Sequence, residues 1–153
     1  MNDDLIDTGS CRKTRLMNRM VNNSSRLTQE LNRRMKKELS LSLAKYKALV
    51  VIDHAPDGEI TMSNLSRELL VSNANMTGMS ARLQSDGLIE KKALPADRRI
   101  FSVKLTAKGK DIVEQAVEKH GEWIRELMAC VDNDEVNFMN EFLDKMDRQS
   151  KYF

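Results

Sequence analysis

Two short helical segments with a tight break between them, followed by two strand-like runs, constrain the fold of this chain most strongly. Thr61 can cap a helix over Met62–Leu70, and a second helix is predicted over about Asn73–Ser85. Leu88–Ala93 is a strand-like run, and Ile100–Thr106 alternates apolar and polar side chains. This order predicts a helix-turn-helix unit followed by a β-hairpin, or wing.

Long amphipathic segments flank this unit on both sides. Apolar residues recur at spacings of four and seven from about Arg12 to Leu39, which predicts a long helix interrupted by the polar run at 23–25. A further helix is predicted over Ser42–His54, and two helical stripes follow Thr106. With only 6 Gly, 2 Pro and 5% aromatic residues, the composition also favours helices. The predicted fold class is therefore mainly α with a small β-hairpin wing.

The predicted domain organisation has three parts. These are an N-terminal arm and helix at 1–40, the helix-turn-helix with its wing at 41–107, and C-terminal helices at 108–153. A chain of 153 residues suits one domain with such flanking segments. The apolar faces of the two outer parts are wide for a lone small domain, so we expect them to pack together and to pair with a second copy in a homodimer.

The formal net charge of +2 conceals an uneven distribution. Residues 12–37 carry nine basic groups against one acid and residues 61–106 carry seven against four, whereas residues 107–153 carry seven against eleven. A basic middle joined to an acidic tail is typical of a polyanion-binding module with a separate assembly segment. The alternative is an ordinary solvated helical surface, and the charges alone do not decide between the two.

The second helix of the helix-turn-helix unit presents small and amide side chains on its predicted outward side. A helix fits the major groove of DNA, where Asn can pair with an adenine edge and the Thr methyl can contact a thymine methyl. Glycine lets the backbone approach a partner closely. The alternative is that these are ordinary solvent-facing residues. The predicted DNA-binding residues of this helix are Asn73, Asn75, Thr77, Gly78, Ser80 and Arg82.

The loop between the two strand-like runs has a basic tip, Asp97-Arg98-Arg99. Arginine in a narrow minor groove meets an enhanced negative potential. Asp97 can accept a hydrogen bond from one guanidinium group and fix its direction. We therefore expect all three residues to contribute to DNA binding, although without the preceding helices the loop would be a solvated charged turn.

The stretch from Leu41 to Gly109 resembles the MarR family of bacterial transcription regulators. The similar strings are LSLAKYKALVVI, MSNLSRELLVSNANMTGMSARLQSDGLIEK and PADRRIFSVKLTAKG. The resemblance implies a homodimer joined by the first, fifth and sixth helices, with one winged domain in each subunit. It implies binding to pseudopalindromic promoter DNA, usually as a repressor that a small molecule releases. By position, Ser72–Arg82 map onto the recognition helix, which adds Ser72 to the candidates, and residues 97–99 map onto the wing.

Two sensor chemistries of that family find little support in this sequence. Peroxide-sensing members use a reactive cysteine near the start of the first helix, but Cys11, at about that place, lacks their aromatic surroundings. Zinc-sensing members need several close ligands, whereas His54 and His120 stand alone. We predict no metal and no cofactor. Cys11 and Cys130 form no motif, which favours a reducing, cytoplasmic location.

The excess of Arg and Lys on the first helix has two explanations. One is contact with DNA phosphates. The other is recognition of an anionic effector, such as an aromatic acid or an acyl-coenzyme A thioester, through arginine. Asn23 and Tyr46 are the predicted lining of a pocket for such a small molecule, and a core aromatic residue is an equal alternative for Tyr46.

The predicted function is that of a ligand-responsive, DNA-binding regulator of transcription. A winged module that binds proteins without reading DNA is the alternative, although such a module does not need a basic wing tip. No Ser/His/Asp or Cys/His constellation, phosphate-binding Gly-rich loop or paired carboxylate motif points to an enzyme. No apolar run approaches the roughly 20 residues that span a bilayer, so no membrane partner is expected.

Overall fold

All six predicted helical segments form helices in the computed structural model of the protein, which describes residues 12–95 and 97–150. The helices are α1 Arg12–Leu39, α2 Leu43–Asp53, α3 Met62–Glu68, α4 Asn73–Ser85, α5 Ala107–Leu127 and α6 Asn133–Ser150. The strands are β1 Glu59–Thr61, β2 Ile89–Ala93 and β3 Phe101–Leu105. The predicted fold class, mainly α with a small wing, is confirmed.

The wing belongs to a three-stranded sheet, whereas the sequence predicted a hairpin of two strands. The strand order is β1-β3-β2, and both pairings are antiparallel. The unpredicted strand, β1, pairs Ile60 with Val103 of β3. Ser102 Oγ donates a hydrogen bond to a carboxylate oxygen of Glu59, which joins the same two strands. The base of the wing is therefore held by the strand that leads directly into α3.

Side-chain caps fix the starts of both helices in the helix-turn-helix unit. Thr61 Oγ1 accepts a hydrogen bond from the Asn64 N–H at 3.3 Å, and Ser72 Oγ accepts one from the Asn75 N–H at 3.2 Å. Such caps satisfy N–H groups that the first turn of a helix leaves without a partner. The predicted cap at Thr61 is confirmed.

The turn between α3 and α4 begins earlier than predicted. α3 ends at Glu68 rather than at Leu70, because Leu70 adopts a left-handed backbone conformation with a φ of 54°. The Leu70 side chain is 92% exposed, so packing does not offset the cost of that conformation.

The first helix is continuous, and the interruption predicted at residues 23–25 is wrong. Asn23, Ser24 and Ser25 are exposed. Short polar side chains that face solvent in this way leave the helical hydrogen bonds of the backbone in place.

The described chain divides into two compact units, with the boundary between Val117 and Glu118 inside α5. In the second unit Trp123 is buried, whereas α6 has no buried residue. The three-part division predicted from the sequence stays a prediction, and its residues 1–11 lie outside the described part of the chain. None of the helices between residues 12 and 150 combines the length and the apolar character that a membrane crossing requires. In the first unit, the largest fully buried apolar side chains are Met35, Leu49, Ile52, Leu65, Met76, Leu83 and Val103.

Candidate nucleic-acid interface

The helix α4 has one buried and one exposed face. Met76, Ser80 and Leu83 are buried at spacings of four and three residues, which places them on one side of the helix. Asn75, Thr77, Gly78 and Arg82 are exposed, as predicted. The buried face anchors α4 in the first unit, and the exposed face offers amide, hydroxyl and guanidinium groups to solvent.

Ser80 was predicted on the outward side of α4, and that prediction is wrong. Its side chain is buried, and Ser80 Oγ donates a hydrogen bond to the Thr77 carbonyl oxygen at 3.0 Å. The type of residue suggested a surface position, but its spacing from Met76 and Leu83 is that of the buried stripe. Ser80 therefore belongs to the core side of the helix.

The first turn of α4 is held by its own polar side chains. Ser72 is the N-cap, and Asn73 Oδ1 accepts a hydrogen bond from Ser66 Oγ of α3 at 2.8 Å. Thr77 Oγ1 donates to the Asn73 carbonyl oxygen at 2.9 Å. Ser72, Asn73 and Thr77 are exposed as predicted, but each also has a structural role at the start of the helix.

A groove of about 480 Å³ separates the exposed face of α4 from the start of α2. Gly78 lies along this groove, and a methyl group added to it would meet no atom within 4 Å. The groove has two cationic side chains, Lys45 and Arg82. Its lining residues are Ser42, Ala44, Lys45, Val71, Ala74, Asn75, Gly78, Met79 and Arg82.

The wing loop is closed by backbone hydrogen bonds. The Leu94 N–H donates to the Ile100 carbonyl oxygen at 2.8 Å, and the Ile100 N–H donates to the Asp97 carbonyl oxygen at 3.0 Å. Asp97 Oδ1 accepts the backbone N–H of Arg99 at 2.9 Å, whereas the sequence predicted a guanidinium donor. Arg98 and Arg99 are exposed, so the tip of the loop presents both cations to solvent.

The C-terminal end of α4 carries an ion pair that the sequence analysis missed. Lys45 Nζ of α2 lies 2.5 Å from Asp86 Oδ2, and Lys108 Nζ of α5 donates to the Asp86 carbonyl oxygen at 2.8 Å. Lys45 and Asp86 are 41 residues apart, so no local pattern signals their contact. Two cations therefore lie at the end of a helix where the backbone carbonyl groups concentrate negative partial charge.

Glu30, one of the two acids of the first helix, is bound by two neighbouring arginines. Arg33 donates to both carboxylate oxygens of Glu30, at 2.8 and 2.7 Å, and Arg34 donates to one of them at 2.9 Å. These hydrogen bonds lower the pKa of Glu30 to about 2. Other basic residues of α1 are exposed to solvent, among them Arg12, Lys13, Arg19, Arg26, Lys36 and Lys37.

The two residues predicted to line an effector pocket have different surroundings. Asn23 is exposed on α1, whereas Tyr46 is buried in α2, where desolvation raises the pKa of its hydroxyl. This burial fits the alternative of a core aromatic residue for Tyr46, and its role in ligand binding stays a prediction.

A second cavity of about 460 Å³ lies between the end of α2 and α5. Its lining residues are Asp53, His54, Lys110, Val113, Glu114 and Val117, all from the first unit. His54 Nδ1 lies 2.9 Å from the Val50 carbonyl oxygen. Within residues 12–95 and 97–150 no three His, Cys, Asp or Glu side chains form a group that could hold a metal ion. Cys130 is exposed, and Cys11 lies outside the described residues.

The sequence profile of the MarR family matches residues 41–101. YsmB, an uncharacterised HTH-type transcriptional regulator of Bacillus subtilis, is 26% identical over 94 residues, which are 61% of this chain and 64% of YsmB. YetL, an HTH-type transcriptional repressor of the same bacterium, is 28% identical over 103 residues, which are 67% of this chain and 62% of YetL. The matched part of the chain thus spans slightly less than two thirds of these relatives.

Solved structures are similar over more of the chain. A cysteine-to-serine variant of MarR from Escherichia coli has 31% sequence identity and a TM-score of 0.70, covering 91% of this chain and 98% of that one. A MarR variant of the same kind in complex with operator DNA has 29% identity and a TM-score of 0.77, covering 85% and 92%. The similarity therefore includes flanking helices as well as the helix-turn-helix with its wing.

Proposed function

The chain belongs to the MarR family of transcriptional regulators, and on this premise we propose that it binds double-stranded DNA as a homodimer. In each subunit, α4 enters the major groove and the wing loop contacts the adjacent minor groove. The observation that carries the proposal is the exposed polar face of α4 in the same unit as the exposed Arg98 and Arg99. The crystal structure of a MarR variant in complex with operator DNA, which has the same fold, supports this proposal.

The side chains on α4 divide by the kind of DNA contact that they can make. Asn75 can form two hydrogen bonds with an adenine edge, and Arg82 can do the same with guanine. Gly78 lets the helix backbone approach the bases, because no side chain stands between them. Arg98 and Arg99 contact phosphates or the minor groove, where a narrow groove concentrates negative potential. Asn75 and Arg82 therefore supply base preference, and the wing supplies affinity.

Exposed apolar side chains support the proposed homodimer. Leu16, Met17, Val21 and Leu27 of α1 are each at least 40% exposed in the single chain. In the second unit, Ile124, Val136, Phe138, Met139 and Leu143 are exposed as well. A second copy that covers these helices removes this surface from water and places two α4 helices about 34 Å apart, one turn of DNA. Such a dimer binds a two-fold symmetric site in the cytoplasm, where bacterial DNA lies.

The regulatory outcome we propose is repression that a small anion relieves. The name of YetL as a repressor supports the first part, and the exposed cations of α1 support an anionic effector, such as an aromatic acid or an acyl-coenzyme A thioester. Suppose an anion binds better to a dimer whose α4 helices are not spaced to fit two major grooves. It then shifts the population of dimers towards that form, which does not bind DNA. Linkage then requires DNA to weaken effector binding by the same factor. A thermal-shift screen of such anions, followed by both titrations, tests this step.

Selection of duplexes from a random library, followed by fluorescence anisotropy, tests the proposed function. We expect the protein to enrich a two-fold symmetric sequence, and its affinity to fall steeply with salt as phosphate counterions are released. Arg99→Ala should weaken binding to all duplexes alike, whereas Asn75→Ala should change the preferred base at one position of each half-site. Arg148→Ala on α6 is the matched control and should leave binding unchanged. Failure to enrich any sequence would favour the alternative of a protein-binding module.

A further inference from the structure

Asp86 lies at the junction of three helices. It is the C-cap of α4, its carboxylate oxygen Oδ2 lies 2.5 Å from Lys45 Nζ of α2, and its carbonyl oxygen accepts a hydrogen bond from Lys108 of α5 at 2.8 Å. The Asp86 N–H in turn donates to the Arg82 carbonyl oxygen at 2.9 Å. The residue therefore connects α4 to two neighbouring helices, through its carboxylate to α2 and through its carbonyl oxygen to α5.

The charge of Asp86 is unfavourable at this place if the protein only needs to attract DNA. The side chain is 45% exposed and sits one helical turn from Arg82, beside a groove with two cations. A carboxylate there repels phosphates and neutralises Lys45, one of the cations that would attract them. A bystander acid in this position would only reduce affinity for a polyanion.

We propose that Asp86 is a positioning residue for DNA recognition, an inference that rests on the proposed function. Through its ion pair with Lys45, Asp86 fixes the C-terminal end of α4 against α2. This holds the exposed side chains of Asn75, Gly78 and Arg82 in a single register relative to the bases. The same pair keeps the Lys45 ammonium at the edge of the groove. Base selectivity therefore depends on an ion pair that does not itself contact a base.

The effect of the pair is expected in selectivity more than in fold stability. An ion pair that is partly exposed adds little to the stability of a protein. A base contact that is misplaced, by contrast, lowers affinity for the preferred sequence roughly five- to a hundred-fold and leaves affinity for random DNA intact. The ratio of the dissociation constants for random and preferred duplexes is thus the quantity that reports positioning.

Asp86→Asn separates a positioning role from a bystander role because the two predict opposite changes. If Asp86 is a bystander, the removal of a negative charge beside the groove tightens binding to all duplexes, and the ratio stays constant. If Asp86 positions α4, binding to random DNA tightens or stays the same while binding to the preferred duplex weakens. We expect the ratio to fall about five-fold or more, at constant salt concentration, with a thermal midpoint within about 4 °C of the parent.

A reciprocal exchange controls for changes in folding. Lys45→Asp together with Asp86→Lys keeps the net charge, and each new residue suits the helix end at which it lies. We expect Lys45→Gln alone to lower the ratio as Asp86→Asn does, and the exchanged pair to restore most of it. Glu68→Gln, which removes an exposed acid from the end of α3, is the matched control and should leave the ratio unchanged.

The outcomes distinguish this inference from the function on which it rests. If the parent protein enriches no sequence, the proposed function fails and the role of Asp86 falls with it. If the parent enriches a sequence but Asp86→Asn keeps or raises the ratio, DNA recognition stands and the positioning role is overturned. A double exchange that leaves the ratio as low as the single variants also overturns the positioning role.

Discussion

The carbonyl oxygen of Leu88 occupies the space into which a side chain on Gly109 would extend, so that a β-carbon there would collide with backbone. Thr106 makes three hydrogen bonds around this contact. Its N–H donates to the Leu88 carbonyl oxygen at 3.1 Å, its hydroxyl donates to the Gly87 carbonyl oxygen at 2.7 Å, and Thr106 Oγ1 accepts the Gly109 N–H at 3.0 Å. The start of α5 is therefore seated on the segment that joins α4 to the wing.

Gly109→Ala should lower the free energy of unfolding by about 1–3 kcal/mol, because the backbone at Leu88 must move to admit the methyl group. This loss exceeds the gain of up to about 1 kcal/mol in helix propensity. Urea denaturation followed by circular dichroism measures the change. Gly121→Ala in the same helix is the control, because its new β-carbon would meet only Arg125 Nη1 at 3.6 Å. That variant should be as stable as the parent or more so.

Gly78→Ala should stabilise the free protein by up to about 1 kcal/mol, since alanine is the better helix former and the site is open. The same methyl group should weaken binding to the preferred duplex by about 1–3 kcal/mol if the backbone approaches the bases there. Ala81→Gly, at an exposed position of α4 outside the groove, is the control. It should lower the stability of the free protein and leave DNA binding unchanged. Unchanged DNA affinity in Gly78→Ala would place the bases elsewhere.

Leu70→Gly should raise the free energy of unfolding by roughly 0.5–1 kcal/mol. The left-handed backbone conformation costs a residue with a side chain about 1–2 kcal/mol, and glycine avoids this cost. Part of the resulting gain in stability is offset by the larger conformational entropy of glycine in the unfolded chain. Leu70→Ala keeps the β-carbon and should change little, because the leucine side chain is 92% exposed. A large loss of stability in Leu70→Ala would mean that the side chain itself matters.

Glu30→Gln should remove a part of the acid sensitivity of the protein. The pKa of Glu30 is lowered from 4.5 to about 2 by Arg33 and Arg34, so the ionised carboxylate stabilises the folded state above pH 4.5. This contribution is lost as the pH falls towards 2. The thermal midpoint of the variant should therefore lie below that of the parent at neutral pH, and the two midpoints should converge in acid. Glu38→Gln on the same helix is the control, and a constant difference across the pH range would contradict the assignment.

Local chemistry made the limits of α4 predictable. Ser72 caps the helix, and Gly87, with a φ of 71°, follows its end, so both boundaries agree with the sequence prediction. β1 was missed because three residues are too few to show a strand pattern. Glu59–Thr61 is a strand only because β3, more than forty residues later, supplies its hydrogen-bonding partner.

The exposed face of α4 was predictable from the sequence at every candidate position except Ser80. Asn75, Gly78 and Arg82 are exposed as predicted, whereas Ser80, placed with them on the outward side, is buried because its spacing from Met76 and Leu83 puts it on the core face. The contact between Lys45 and Asp86 has no sequence signal at all, since it depends on how α2 and α4 pack. Tertiary packing, rather than any local motif, creates that part of the surface.

The two faces of α4 share no residue, although their members alternate along thirteen positions of one helix. Exchange of Asn75 or Arg82 for other polar side chains should therefore leave Met76, Ser80 and Leu83 in their places. A protein built in this way can acquire a new target without rebuilding its interior. The scaffold is accordingly a suitable starting point for libraries in which only the outward residues are varied.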